Sequence, residues 1–260
     1  MLLHRGWTAK IRDLGDLKAQ FFKALAFGVV AGIVFFGKGD ISPPFLDEQG
    51  ARLGNVSSCA SLLFLSMLFN MMNNLQAIAS ICEMNKIYRR ELKAFAYCAS
   101  PYWVAGLLTQ IPIMLVCNLA GMSVLYGICK FPASADYYFY FFFVLFFASI
   151  TSLYFAQFLA AATGSATLAF AIFPVTFLFL SMFSGYGIPI TDVPKMWEWA
   201  PYISYARWTF QGLMVNEFEQ FGADGEEILR EYGFEDYDKG NTIWILLVTP
   251  NLFQLAQILI

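Results

Sequence analysis

The sequence predicts an all-α membrane protein with six transmembrane helices. Its 260 residues are 58% hydrophobic and only 13% charged, whereas soluble domains carry roughly 25% charged residues. The longest stretch without Asp, Glu, Lys or Arg covers residues 137–191. A helix needs ~20 apolar residues to cross a bilayer, so this stretch is too long for one crossing and suits two.

Residues 1–20 precede the first span and are predicted to form an amphipathic elbow helix on the cytoplasmic leaflet. Apolar side chains recur there at intervals of three and four, with charges between them, which is the pattern of an interfacial helix. These side chains are Leu3, Trp7, Ile11, Leu14 and Leu17. The first span follows at 21–37, with Lys23 near its start reaching toward the headgroups.

The second and third spans are predicted at 55–82 and 101–129. Between them, residues 83–95 carry closely spaced charges of both signs, which cannot enter lipid. They are therefore expected to form a short helix that projects into the cytoplasm. Pro112 lies inside the third span and lacks a backbone N–H, so a kink is expected there.

The uncharged stretch divides into spans at 137–162 and 166–186, because the small and polar residues at 162–165 favour a tight turn. An outer loop is predicted at 187–242 and a sixth span at 243–260. The resulting description is a single transmembrane domain over residues 1–260.

The distribution of Lys and Arg predicts that both termini are cytoplasmic. Basic residues exceed acidic ones in residues 5–23 and 86–93, whereas the loop at 187–240 holds 11 Asp or Glu against four Lys or Arg. Cytoplasmic segments retain the basic excess. The first two segments therefore belong inside and the acidic loop outside, in a multi-pass protein of the plasma membrane or an organelle membrane.

Several function classes are disfavoured by composition. The net charge of −3 and the pI near 5.2 argue against nucleic-acid binding. The five cysteines have no CxxC spacing, which argues against a metal site. The only histidine is His4 and no span interior holds a carboxylate, so an enzyme with catalytic groups inside the membrane is disfavoured.

The second span has one face of small and polar residues at steps of three and four. This face consists of Ser66, Asn70, Asn73, Asn74, Ala77 and Ser80. An amide that faces lipid costs free energy, so the face is expected to meet protein or water. Two interpretations stay open: the amides line a path for cargo, or they form hydrogen bonds between helices of the bundle.

Two regions of the chain carry a family resemblance. The run Glu83-Met84-Asn85-Lys86-Ile87-Tyr88-Arg89-Arg90-Glu91, followed by Tyr97, resembles the charged stretch after span two of G-subfamily ATP-binding cassette transporters, the white and pleiotropic-drug-resistance type. Gln110-Ile111-Pro112 lies in span three, where this family often has Glu-x-Pro. The order of elbow, spans, cytoplasmic helix and large outer loop is also similar.

The outer loop resembles the family most closely. Its motifs are Ser184-Gly185 with Ile188-Pro189, Pro194-x-x-Trp197-x-Trp199, Tyr202-x-Ser204 and Asn216-Glu217-Phe218. The resemblance covers residues 5–260, and Asn-Glu-Phe after a Trp-rich loop is its most specific part.

The resemblance implies partners and an energy source. A nucleotide-binding domain, on the same or a separate polypeptide, would bind ATP and Mg, and a second transmembrane domain would complete a homodimer or heterodimer among membrane lipids. The sequence contains no GxxxxGK[ST] phosphate loop. We therefore expect this chain to bind no cofactor itself and to have no ATPase site of its own.

The resemblance also implies site residues. A substrate cavity is expected at Asn70, Met71, Asn73, Asn74, Phe177, Leu178, Ser181 and Met182. The gate above it would consist of Tyr186 and Gly187. The coupling residues would be Glu83, Arg89, Arg90, Glu91 and, on the elbow, Arg12.

The function expected from this resemblance is translocation of lipophilic or amphipathic small molecules, such as a lipid, sterol, pigment or drug, by an ATP-driven exporter. The alternative is a channel or passive permease, with the amide cluster of span two supplying a polar pore.

Overall fold

The computed structural model describes residues 6–8, 14–41, 54–83, 99–234 and 239–259, and within these ranges it contains helices and turns but no strand. The helices used below are α1 (Leu14–Val34), α2 (Gly54–Met72), α3 (Ala99–Cys129), α4 (Ala135–Thr163), α5 (Ala166–Met182), α6 (Tyr205–Phe218), α7 (Ala223–Glu231) and α8 (Lys239–Leu259).

Four helical stretches are long and apolar enough to cross a membrane: Gly15–Val34, Asn55–Glu83, Leu108–Cys129 and Ala135–Thr163. The shorter apolar helix Ala166–Met182 coincides with the predicted fifth span and ends four residues earlier than predicted. Helix α8 covers the predicted sixth span. The all-helical membrane fold predicted from the sequence is therefore confirmed.

Helix α1 begins at Leu14, so the end of the predicted elbow is continuous with the first span. The rest of the elbow is described only at residues 6–8. Most of the predicted cytoplasmic helix at 83–95, including Arg89, Arg90 and Glu91, lies outside the described residues, as does Arg12.

Helices α1 and α3 pack against each other through small residues. A Cβ atom added to Gly28 would lie 2.4 Å from the carbonyl oxygen of Gly121, and one added to Gly121 would lie 2.7 Å from that of Ala24. Small residues let helix backbones approach closely, which is a main source of helix association in membranes. The two helices are thus held together at a backbone-to-backbone contact.

Helix α4 lies at the centre of the bundle and contacts α2, α3, α5, α6 and α8. Two thirds of its apolar window is buried, against about a fifth for α1. Hydroxyl groups on α4 reach across to its neighbours: Ser152 Oγ donates to Met71 O on α2 at 2.6 Å, and Thr151 Oγ1 to Leu246 O on α8 at 3.3 Å.

Helix α6 lies within the segment predicted as the outer loop, yet it is buried inside the bundle. All of its residues except Trp208 are buried. Its first residue, Tyr205, contacts Phe155 of α4 at a ring separation of 6.2 Å. Near its end, Asn216 Nδ2 donates to Tyr137 O at 3.0 Å. Helix α6 therefore runs antiparallel to α4, from the middle of α4 back to its first turn.

Candidate translocation site

The polar face of α2 is directed toward α4. Asn70 is fully buried, and its Nδ2 donates to Ser66 O at 2.9 Å. The carbonyl oxygen of Asn70 accepts a hydrogen bond from Ser149 Oγ at 3.1 Å. Asn70 Oδ1 is buried without a hydrogen-bond partner among the described residues. These contacts make the Asn70 region an interhelical junction.

The α-helix of span two is interrupted by a 3-10 turn at Asn73–Gln76 and resumes at 77–83. Within the turn, Asn74 Nδ2 donates to Ser149 O of α4 at 2.9 Å. Asn73 is half-buried, with its Oδ1 enclosed and unpaired within the described part of the chain. Met71, the preceding predicted cavity residue, is fully buried. The structure therefore brings Asn70, Met71 and Asn74 together at the α2–α4 contact.

The predicted cavity residues of α5 separate into two faces. Phe177 and Ser181 are buried, and Ser181 Oγ donates to the carbonyl oxygen of Leu178 at 2.9 Å. Leu178 is 59% exposed and Met182 56% exposed. Together with Val175, they form a continuous apolar face on one side of α5. We call this set (Val175, Leu178, Met182) the α5 outer face.

The predicted gate residue Tyr186 connects α2 to α6. Its hydroxyl group lies 2.7 Å from Ser61 Oγ, and its ring stacks on Phe64 with centroids 4.3 Å apart. The edge of the ring also meets Phe210. The preceding residue, Gly185, has a φ of +92°, and a Cβ there would lie 2.8 Å from the Phe234 ring. Glycine is therefore required to place Tyr186.

The other gate residue, Gly187, is exposed and would tolerate a Cβ without contact. It makes no aromatic or polar contact comparable to that of Tyr186 among the described residues. In this chain, only Tyr186 supplies bulk at the predicted gate position.

A polar cluster joins the ends of α4, α6 and α8. Lys239 forms an ion pair with Glu219 and lies over the rings of Tyr137 and Tyr140. Glu217, at the end of α6, is 2% exposed, and burial raises the pKa of its carboxyl group to about 8. The contacts of Lys239 thus join the starts of α4 and α8 to the turn that follows α6.

Among the predicted coupling residues, Glu83 is described and is exposed at the end of the second span. Arg12, Arg89, Arg90 and Glu91 lie outside the described residues. Within the described ranges, no group of three or more His, Cys, Asp or Glu side chains is arranged to hold a metal ion.

Buried hydroxyls and amides inside a bundle with an apolar exterior define a polytopic integral membrane protein. Comparison with known proteins defines it further: residues 1–218 match the family described as ABC-2 type transporter. The chain belongs to this family, as the membrane domain of a G-subfamily ATP-binding cassette transporter.

Relatives of this subfamily match most of the chain. ABC transporter G family member 8 of Dictyostelium discoideum is 22% identical over 97% of this chain and 40% of its own length. ABC transporter G family member 36 of Arabidopsis thaliana is 24% identical over 83% of this chain and 14% of its own length. Protein white of Ceratitis capitata is 20% identical over 84% of this chain and 30% of its own length. The chain thus spans less than half the length of these relatives.

Sequence reasoning missed the role of α6. Its charged residues Arg207 and Glu217 were counted with the acidic outer segment, although both are buried. The available signal was periodicity: Phe210, Leu213, Met214 and Phe218 recur at intervals of three and four, the pattern of a buried helical face.

Proposed function

We propose that this chain is the substrate-translocating domain of an ATP-driven exporter of lipophilic or amphipathic small molecules, with both termini in the cytoplasm. The family match over residues 1–218 carries this proposal. The membrane would be the plasma membrane or that of an organelle. The cargo class includes lipids, sterols, pigments and drugs.

The α5 outer face supports a path between two transmembrane domains. Leu178 and Met182 are large, apolar and uncovered in the single chain, and a second copy or a related domain would enclose them. An apolar wall suits cargo that partitions into lipid. Asn70, Met71, Asn74 and Phe177 are buried in the bundle and would support the wall, while Asn73, Ser181 and the gate at Tyr186 and Gly187 would complete the path.

The energy would come from a nucleotide-binding domain that holds ATP and Mg, on this polypeptide or another. The sequence has no phosphate loop of its own. A ligand shifts a conformational equilibrium only through different contacts in the two states. The charged segment from Glu83 to Glu91, with Arg12 of the elbow, is the proposed receiver of that motion.

Charge reversal in this segment tests the mechanism. We expect Arg90→Glu and Glu91→Arg, each introduced singly in the assembled transporter, to retain basal ATP hydrolysis and surface expression while cargo transport falls at least tenfold. The matched control is Lys195→Glu, a reversal at an exposed position of the segment between α5 and α6, which should leave transport unchanged. Full transport with both coupling charges reversed would contradict the proposal.

A further inference from the structure

Arg207 is a buried cation at the start of α6. Its side chain is only 9% exposed. The backbone N–H of Arg207 donates to Ser204 Oγ at 3.3 Å, which caps the helix. The same hydroxyl group donates to Leu180 O of α5 at 2.7 Å. The backbone of Arg207 is thus held in place relative to α5 and α6.

The guanidinium group lies against two aromatic rings. Its Cζ is 4.9 Å from the centroid of the Tyr202 ring and 4.7 Å from that of Trp208. The indole Nε1 of Trp208 donates to Tyr202 O at 3.2 Å, which keeps the two residues together. Ring faces attract a cation, and the Tyr202 side chain also forms a hydrogen bond with the guanidinium group. Neither contact supplies an acceptor for Nε or Nη1.

Two donors of Arg207 are left without acceptors. Nε and Nη1 are buried and have no hydrogen-bond partner among the described residues. Nor does Arg207 form an ion pair with any carboxylate in the described ranges. A buried charge with unmet donors carries a large desolvation cost. Carboxylate and phosphate groups present several acceptor oxygens and match a guanidinium well.

Large apolar side chains are exposed in the segment that leads into α6. Met196, Trp199, Tyr202 and Ile203 are all more than half exposed. Arg207 also precedes Asn216 by nine helical residues, so it lies about 14 Å along α6 from the level of the first turn of α4. Because that distance is well within the thickness of a bilayer, a ligand would approach from the membrane with an apolar part.

We propose that Arg207, Tyr202 and Trp208 form a binding site for a membrane amphipath that has one anionic head group, carboxylate or phosphate, and an acyl tail. An oxygen of the head group accepts a hydrogen bond from Nε or from Nη1 of Arg207, whose N–H groups lie on different edges of the guanidinium group. The tail lies over the exposed apolar surface of Trp199 and Ile203. This site rests on the geometry around α6 and does not depend on the chain being an exporter.

Binding of three lipids that share one acyl chain tests the site. The purified protein in non-ionic detergent is titrated with oleate, oleoyl-lysophosphatidate and uncharged monoolein, and occupancy is measured by native mass spectrometry. We expect at least one of the anions to bind tenfold or more tightly than monoolein. Arg207→Gln should abolish that preference, whereas Arg230→Gln, at an exposed position on α7, should preserve it.

The pattern of binding distinguishes the sources of the ligand. Preference for lysophosphatidate alone identifies a phospholipid head group, preference for oleate alone identifies a fatty acid, and preference for both identifies a general oxyanion site. Equal binding of monoolein and both anions, or an unchanged preference in Arg207→Gln, would overturn the proposal.

Two further variants keep the test decisive if Arg207→Gln fails to fold. Arg207→Lys retains the charge and should retain the anion preference. Tyr202→Leu retains the cation but removes one ring, so we expect severalfold weaker anion binding with monoolein binding unchanged. Loss of preference in the lysine variant together with unchanged anion affinity in Tyr202→Leu would reject the site.

Discussion

Asn70 lies inside the bundle, where its amide and carbonyl groups hold helix to helix. Its side-chain amide donates to Ser66 O of the same helix and to Met122 Sδ of α3, and its backbone carbonyl accepts from Ser149 Oγ of α4. Leu178 shows the opposite arrangement, with its side chain uncovered on the α5 outer face. Asn70 is therefore expected to support the bundle from inside, whereas Leu178 is expected to form the surface that cargo meets.

This difference predicts opposite phenotypes for the two positions. Asn70→Leu should lower the free energy of unfolding by about 1 kcal/mol, because the hydrogen bonds of the buried amide to Ser66 O and Met122 Sδ are lost, and leave cargo preference unchanged. Leu178→Ala should leave folded yield unchanged but alter which cargoes stimulate ATP hydrolysis. The measurements are thermal unfolding and cargo-stimulated ATPase activity. Altered cargo preference in Asn70→Leu at normal stability would contradict this assignment.

Glu217 predicts a pH dependence of stability. Burial raises its pKa from 4.5 to about 8, so between these values the folded chain retains a proton that the unfolded chain releases. Stability should therefore fall as pH rises from about 4.5 to about 8, at no more than about 1.4 kcal/mol per pH unit. Thermal unfolding measured across pH 5–9 checks this expectation.

Glu217→Gln should remove this slope, because an amide does not titrate. Glu226→Gln is the matched control, since Glu226 is exposed on α7, and it should leave the slope unchanged. Identical slopes in the wild-type chain and Glu217→Gln would show that other groups determine the pH dependence.

Among the helices, the α1–α3 pair depends on glycine at specific positions. A Cβ at Gly28 would lie 2.4 Å from the carbonyl oxygen of Gly121, which is backbone and cannot rotate away. The helices must then separate along their whole contact. At Gly127 of the same α3 helix, a Cβ would meet nothing within 4 Å.

Alanine substitution should therefore change the stability of the protein differently at the two positions. Gly28→Ala is expected to destabilise the protein by about 1–3 kcal/mol through overpacking. Gly127→Ala is expected to be neutral or to stabilise by up to about 1 kcal/mol, because alanine has the higher helix propensity. Thermal unfolding in the same detergent compares them. Equal destabilisation by both variants would mean that backbone contact is not what holds this pair.

A buried helix could be predicted from the sequence only where its composition is apolar. Helix α4 was found because its central residues are all uncharged. Helix α6 was not, because Arg207, Gln211 and Glu217 give it the composition of a solvated segment although they are buried. Similarly, spacing placed Asn70 on a polar face but did not determine whether that face meets cargo or α4.

For the whole molecule, the membrane family was accessible from sequence because motifs such as Asn216-Glu217-Phe218 are contiguous. The neighbours of Tyr186 could not be predicted from the sequence. Ser61 is 125 residues away in the chain, and the contact exists only after folding. Long-range pairs of this kind carry no local periodicity.

The topology of the whole molecule can be tested by cysteine labelling on a cysteine-free background. Because the segment after α5 is acidic and residues 86–93 are basic, we expect Glu226→Cys to react with an impermeant maleimide in intact cells. Glu83→Cys should react only after permeabilisation. Both positions are exposed in the folded chain, so lack of reaction reports sidedness. External labelling at position 83 would contradict cytoplasmic termini.

The buried position of α6 has a consequence for biogenesis. Its 14 residues extend only about 21 Å, and its buried Arg207 and Glu217 disfavour insertion as a span. Helix α6 contacts α2, α4, α5 and α8, so its site is complete only after α8 has been synthesised. The insertion machinery must therefore release α2, α4 and α5 with an unfilled cleft, which α6 enters as a late step. Variants that weaken this docking should accumulate as fully inserted but immature protein.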